Sequence, residues 1–167
     1  MKKGAKVALL GENYFPPLSE SHMSNRRGRA IERVMSAIFK YKPSVVYVCP
    51  TKGVNINILP MLLLNNIRFR LVFPSRHFFS LLNGDEKLIL EAASQKADKL
   101  IILSEEKCDP MRWSDDWYKG TKKAIDNADW VMIVHNSFCE DKGFNDLVLK
   151  FNENPKPCLA VALDEEE

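Results

Sequence analysis

Short apolar runs recur along the whole chain, each separated from the next by a longer amphipathic stretch. They are KVALL (Lys6–Leu10), SVVYV (Ser44–Val48), RFRLVF (Arg68–Phe73), KLIIL (Lys99–Leu103), WVMIV (Trp130–Val134) and CLAVAL (Cys158–Leu163). Short runs rich in β-branched residues, without polar alternation, are strands buried on both faces, and such strands belong to parallel sheets. Parallel neighbours need a crossover between them. The segments Arg26–Tyr41, Val54–Asn65, Asp85–Lys96, Ser114–Asn127 and Asn145–Asn152 supply it as helices. The expected fold is therefore α/β: a Rossmann-like, doubly wound, mostly parallel sheet with helices on both faces.

A chain of 167 residues is long enough for one domain with a core that needs no disulfide or metal, so a single domain over residues 1–167 is expected. A net charge of +2 gives no overall field that would draw in nucleic acid. The longest apolar stretch, ILPMLLL, is broken by Pro60 and falls far short of the ~20 residues of a membrane span. With no secretory h-region at the N-terminus, the cytoplasm is the expected location, and no membrane partner is expected. Cys49, Cys108, Cys139 and Cys158 are scattered, which reads as free thiols in a reducing compartment. His22, His77 and His135 each lack a ligand partner at metal-site spacing, so no metal and no cofactor is expected.

QKADKLIIL and DNADWVMIV share an Ala-Asp step before an apolar run. Asp98 and Asp129 thus stand one βα unit apart, each turning the chain from a helix into a buried strand. The irregular stretch ENYFPPLSESHMSNRRGR is the one long loop, and long loops in compact domains are commonly functional.

Ligands of open α/β sheets bind where the strands end, so the turns after the runs are the place to look. CPTKG and EDKGFND each put Lys-Gly just before a helix, where backbone N–H groups and the helix dipole favour an anion. A solvated turn accounts for either one taken alone. The Walker pattern and G-x-G-x-x-G are both absent, which argues against an ATPase or a nicotinamide dehydrogenase. The arginines of NRRGR (Asn25–Arg29) suit phosphate oxygens or a solvated helix start. Tyr14, Phe15, Phe78, Phe79, Trp113 and Trp117 suit base stacking or the core. Glu105 and Glu106 follow a strand, where a ribose or the solvent is their natural neighbour. A His135–Cys139 base–nucleophile pair, four residues apart in a loop, comes with no indicated orienting acid.

The order of these motifs resembles the SLOG superfamily, which includes the DNA-processing protein A fold, the LOG-type cytokinin-activating enzymes and the YpsA/YspA-like bacterial proteins. The resemblance rests on VALLGENYF, on VVYVCPTKGVNINILPMLLLNNIRFRLVFP, on KAIDNADWVMIVHN and on KGFNDLVLKFNENPKPCLAV. This chain is identified as a divergent member. Where relatives have Gly-Gly-x-x-Gly after the second strand it has Pro50-Thr51-Lys52-Gly53, and Asn55 stands near a position often acidic. Gly120 and Thr121 stand where many relatives have Arg-Asn, and the Pro-Gly-Gly-x-Gly-Thr…Glu signature of LOG-type phosphoribohydrolases is missing.

The resemblance implies a pocket for a small nucleotide or nucleotide-derived signal, bound for sensing or sequestration without catalysis. A viral scavenger of immune signalling nucleotides fits that description. It also implies a homodimer or higher homo-oligomer. The expected ligand-binding residues are Gly11, Glu12, Asn13, Arg26, Thr51, Lys52, Gly53, Asn55, Arg76, Trp113, Lys142, Gly143 and Asn145. One alternative is a nucleoside or nucleotide N-glycosidase or deoxyribosyltransferase using Glu105, Glu106 or Asp109. Another is a single-stranded nucleic-acid binder, the least favoured because the net charge is so small.

Overall fold

The computed structural model describes residues 3–13, 15, 21–76, 78, 82–106, 113–136, 142–152 and 156–164; of these, the side chains of 21–25, 113–115 and 151–152 are left aside. Along the chain run β1 (Lys6–Gly11), α1 (Ser21–Tyr41), β2 (Val45–Val48), α2 (Val54–Leu64), β3 (Phe69–Phe73), α3 (Gly84–Lys96), β4 (Lys99–Ile102), α4 (Trp113–Asn127), β5 (Trp130–His135), α5 (Lys142–Asn152) and β6 (Cys158–Ala162). The strands form one sheet in the order β4-β3-β2-β1-β5-β6, and every pairing is parallel. The expected architecture is what the chain adopts. Two boundaries differ from the sequence reading by more than one residue. Helix α1 begins at Ser21, inside the stretch read as a loop, and α5 begins at Lys142, so the Lys142-Gly143 step forms its first turn.

From β1 to β4 the sheet grows in one direction, and the chain then returns past β1 to lay down β5 and β6. Right-handed crossovers then put α1, α2 and α3 on one face and α4 and α5 on the other. Strand side chains alternate accordingly. Val7, Leu9, Val46, Val48, Met132 and Val134 join the core beneath α1–α3, while Ala8, Leu10, Val45, Tyr47 and Val131 join the core beneath α4 and α5. Helix α2 is apolar nearly all round because it lies between the sheet, α1 and α3. Ile56, Ile58, Leu59 and Leu62 are fully buried, each contributing about 1.5–3 kcal/mol of transfer free energy.

The repeated Ala-Asp step has one structural meaning in both copies. Asp98 donates its N–H to Phe69 O at 2.8 Å, and Asp129 donates its N–H to Lys6 O at 2.9 Å. Each aspartate thus starts its strand by bonding to the first residue of the neighbouring one. Asp98 also accepts from Arg70 Nε at 2.7 Å and Arg68 Nε at 2.9 Å, and Asp129 Oδ2 accepts from Lys6 N at 2.8 Å. Nearby, Lys156 Nζ donates to Ile125 O, Asp126 O and Ala128 O at 2.6, 3.1 and 2.7 Å. An ammonium at a helix C-terminus, with three carbonyls there accepting from it, is favoured by both hydrogen bonding and the dipole.

Among the described residues, no helix is long and apolar enough to cross a membrane. Trp117 and Phe78, named above as stacking candidates, belong to the core at 4% and 0% exposure. Tyr14, Phe79, His77, Cys108, Asp109 and Cys139 lie outside the described residues, as do the side chains of Trp113 and His22.

Candidate functional site

The sheet reverses its winding between β1 and β5, and that reversal opens the natural crevice of a doubly wound fold at the strand ends. Glu12 stands there. Its N–H donates to Val134 O at 3.0 Å, which carries the β1–β5 ladder one residue past the strand. Its side chain is only 5% exposed. Oε2 accepts the Asn136 N–H at 2.7 Å and Asn136 Nδ2 at 3.0 Å, so residues 124 positions apart stitch the exits of β1 and β5 together. Both donors are neutral and both converge on one oxygen; Oε1 takes no bond from a described residue. Asn136 was not among the residues expected from sequence, where only its place after an apolar run marked it.

Gly53 in the β2–α2 turn and Gly11 at the end of β1 serve one close approach. Gly53 adopts φ +85°, a left-handed conformation that L side chains resist, and a Cβ there would strike Glu12 O and the Asn13 carbonyl. A Cβ on Gly11 would fall 2.5 Å from both Asn55 Oδ1 and Val54 Cβ. The loop after β1 therefore lies directly on the N-terminus of α2. The Val54 N–H donates to Glu12 O at 3.0 Å and the Ile56 N–H to Thr51 O at 3.1 Å. Two of the donors that a phosphate loop would offer to an anion are here engaged by the chain's own carbonyls.

Thr51 and Asn55 are turned inward, both fully buried. Asn55 Nδ2 donates to Cys49 O at 2.8 Å, while Asn55 Oδ1 and Thr51 Oγ1 have no hydrogen-bond partner among the described residues. Helix α4 closes this region from the other face. A Cβ on Gly120 would meet Cys49 Sγ at 2.5 Å and Pro74 Cγ at 3.1 Å, so a glycine at this position lets the helix come down on the β2 exit. Burial pushes the Cys49 thiol up to about 12, with the Thr121 hydroxyl opposing that shift in part. Cys49 is accordingly a packed, unreactive thiol.

The remaining expected residues lie on the surface around this closed centre. Lys52 is exposed on the β2–α2 turn, and Lys142, Gly143 and Asn145 are exposed on the first turn of α5. Because α2 and α5 cover opposite faces of the sheet, the two Lys-Gly steps flank the β1 exit from either side. Arg26 is exposed on α1. Its neighbour Arg27 stacks over the Phe15 ring at 4.9 Å and donates to Asn57 Oδ1 at 2.8 Å, tying α1 to α2; burial lowers its pKa from the ordinary value. Arg76, also exposed, forms a two-point ion pair with Glu105 that joins the exits of β3 and β4. Asn13 is partly buried beside Gly53. His135 Nδ1 contacts Asn136 O at 2.8 Å. Among the described residues, no three His, Cys, Asp or Glu side chains gather as a metal site would require.

Neither a protein-family model nor a curated protein matches the sequence. A solved structure, the X-ray structure of DNA processing protein A (DprA) from Streptococcus pneumoniae, is similar over 93% of this chain at 12% identity and a TM-score of 0.45. The chain spans 58% of the length of that one.

Proposed function

We propose that this chain is a divergent SLOG domain that binds a small nucleotide or nucleotide-derived signal at the β1–β5 exit, without turning it over. The observation that carries the reading is Glu12. Glu12 is 5% exposed at the strand exit, and two neutral donors on one oxygen leave its other oxygen without a bond from a described residue. Holding Asn136 alone asks only for the carbonyl of a glutamine. The second oxygen suits a ligand that brings hydrogen-bond donors, as the hydroxyls of a ribose or the amino group of a base do. Lys52 and Lys142, exposed on either side of the same exit, suit its phosphate oxygens. With the α2 amides engaged by Glu12 O and Thr51 O, phosphate recognition falls to side chains. Release or sequestration of an intact ligand fits this arrangement, in which no activated nucleophile is visible among the described residues.

Isothermal titration calorimetry of the whole chain against a panel of nucleoside mono- and diphosphates and cyclic dinucleotides tests the reading, with chromatography of the ligand afterwards. One member of the panel is expected to bind and to be recovered intact. Glu12→Gln, which keeps the Asn136 bonds, is expected to weaken it by about tenfold, or ~1.4 kcal/mol, and Lys52→Ala and Lys142→Ala by less. Affinity unchanged in all three variants, or no binding across the panel, removes the proposal. Free base appearing with turnover makes the chain an N-glycosidase instead. Affinity for single-stranded oligonucleotides that falls steeply with salt makes it a nucleic-acid binder.

A further inference from the structure

The two outer strands of the sheet present different edges. Strand β6 follows directly on Pro157 and carries the small residues Ala160 and Ala162. Strand β4 pairs with β3 in unbroken register from Lys99 to Ile102, with no bulge, and its surroundings expose large apolar side chains. Leu100 is 43% exposed, Leu103 just beyond the strand 38%, and Leu88 on the preceding helix 65%. An edge strand leaves one row of backbone N–H and C=O groups unpaired, and proteins ordinarily blunt such edges with proline, bulges or inward charge. Strand β4 is short and carries an exposed Lys99 at its first position, but it has neither proline nor bulge.

Charge decides what can pair with this edge. Its entry end carries Lys96 and Lys99, exposed, with Asp98 neutralised by Arg68 and Arg70. Its exit end carries Glu105 and Glu106, exposed, with Arg76 paired to the first. The strand is thus positive where it begins and negative where it ends. A second copy laid alongside in parallel meets like charge at both ends, whereas one laid antiparallel meets opposite charge at both. Pairing of β4 with β6 would be heterologous and build open filaments, and Pro157 at the start of β6 disfavours it.

We propose that β4 is the interface through which two copies of this chain associate, antiparallel, about a twofold axis close to Ile101. That axis sets Leu100 of each copy beside Ile102 of the other, so the apolar layer under α3 runs on across the join. Lys96 and Lys99 then lie toward Glu105 and Glu106 of the second copy. The closed twofold pairs the β4 edge of each copy with that of the other and leaves the β1–β5 exit, on the inner strands, open in each copy. This dimer does not depend on what the exit binds.

Sedimentation velocity of the full chain across the micromolar range reads the result. Wild type is expected to be a dimer, and Leu100→Lys a monomer with an unchanged far-ultraviolet spectrum. The sharper test needs no apolar change. Lys96→Glu with Lys99→Glu makes both ends of the edge acidic, and Glu105→Lys with Glu106→Lys makes both basic. Each doubly substituted chain is expected to self-associate at least about tenfold more weakly, and an equimolar mixture of the two to form a heterodimer. A wild type that stays monomeric, a dimer untouched by Leu100→Lys, or swapped chains that fail to associate on mixing overturns the proposal.

Discussion

The edge where the strands begin and the edge where they end treat polar groups in opposite ways. At the entry edge Asp98 pairs both carboxylate oxygens, Lys156 uses all three ammonium donors, and Asp129 bonds through its N–H and one oxygen. The indole N–H of Trp130, a single weak donor on a core ring, is the exception there. At the exit edge Thr51 Oγ1 and Asn55 Oδ1 are buried without partners among the described residues. An unsatisfied buried polar group costs ~1–3 kcal/mol. The entry edge therefore holds the fold together, and the exit edge retains groups that folding alone would not select.

The comparison is broken most severely at Gly53. Replacing it with alanine imposes a left-handed backbone on an L side chain and drives the Cβ into Glu12 O and Asn13. A loss of about 3 kcal/mol or more is expected, read as a lowered urea midpoint. Gly11→Ala meets the same crowding from Asn55 and Val54 without the positive φ, so it should cost less, about 1–3 kcal/mol. Equal stability of both variants with wild type would show that the β1 loop does not rest on α2 as described.

That contact explains what sequence could and could not convey. All the strands and helices were legible, because a buried parallel strand and an amphipathic helix write their periods locally. The entry aspartates were legible too, as a repeated Ala-Asp step with a repeated role. The exit edge was not. Lys52-Gly53 reads as a phosphate turn because strand, glycine and helix follow one another, but what Gly53 accommodates is the backbone of Glu12 and Asn13, some forty residues earlier in the sequence. Glu12 could be named, yet its partner Asn136 could not, because nothing local joins them. Gly120 was visible only as a departure from relatives, and its reason, the close approach to Cys49 and Pro74, is a contact between distant segments.

Lys156→Met tests the entry edge on its own terms. The substitution keeps the apolar stem and removes the ammonium from three carbonyls at the C-terminal end of α4 and just beyond it. A destabilisation of about 2 kcal/mol is expected in urea, with ligand affinity unchanged.

Thr51→Val inverts the expectation at the exit edge. It exchanges an unpartnered, fully buried hydroxyl for a methyl of similar size. Removing an unsatisfied group should leave stability unchanged or raise it by up to about 1 kcal/mol. A clear loss of stability would mean that Thr51 Oγ1 is bonded after all, by an internal water, and the two edges would then differ less than the described residues indicate.

The smallest effect is a pH dependence at the entry edge. The Arg68 guanidinium, and after it that of Arg70, holds the Asp98 carboxyl below the usual carboxylate range. A carboxylate whose pKa is lower folded than unfolded adds stability that is fully present above its unfolded value, about 3.9. That stability is lost as pH falls through the lower folded value. Urea midpoints of wild type and Asp98→Asn should therefore differ by a constant amount at neutral pH and converge only below about pH 4. The side chains involved face solvent, so added salt should shrink the gap. A gap that widens on acidification would mean that Asp98 is disfavoured as a carboxylate in the fold. The repeated Ala-Asp step would then mark a strand entry held by the backbone bond to Phe69 O alone.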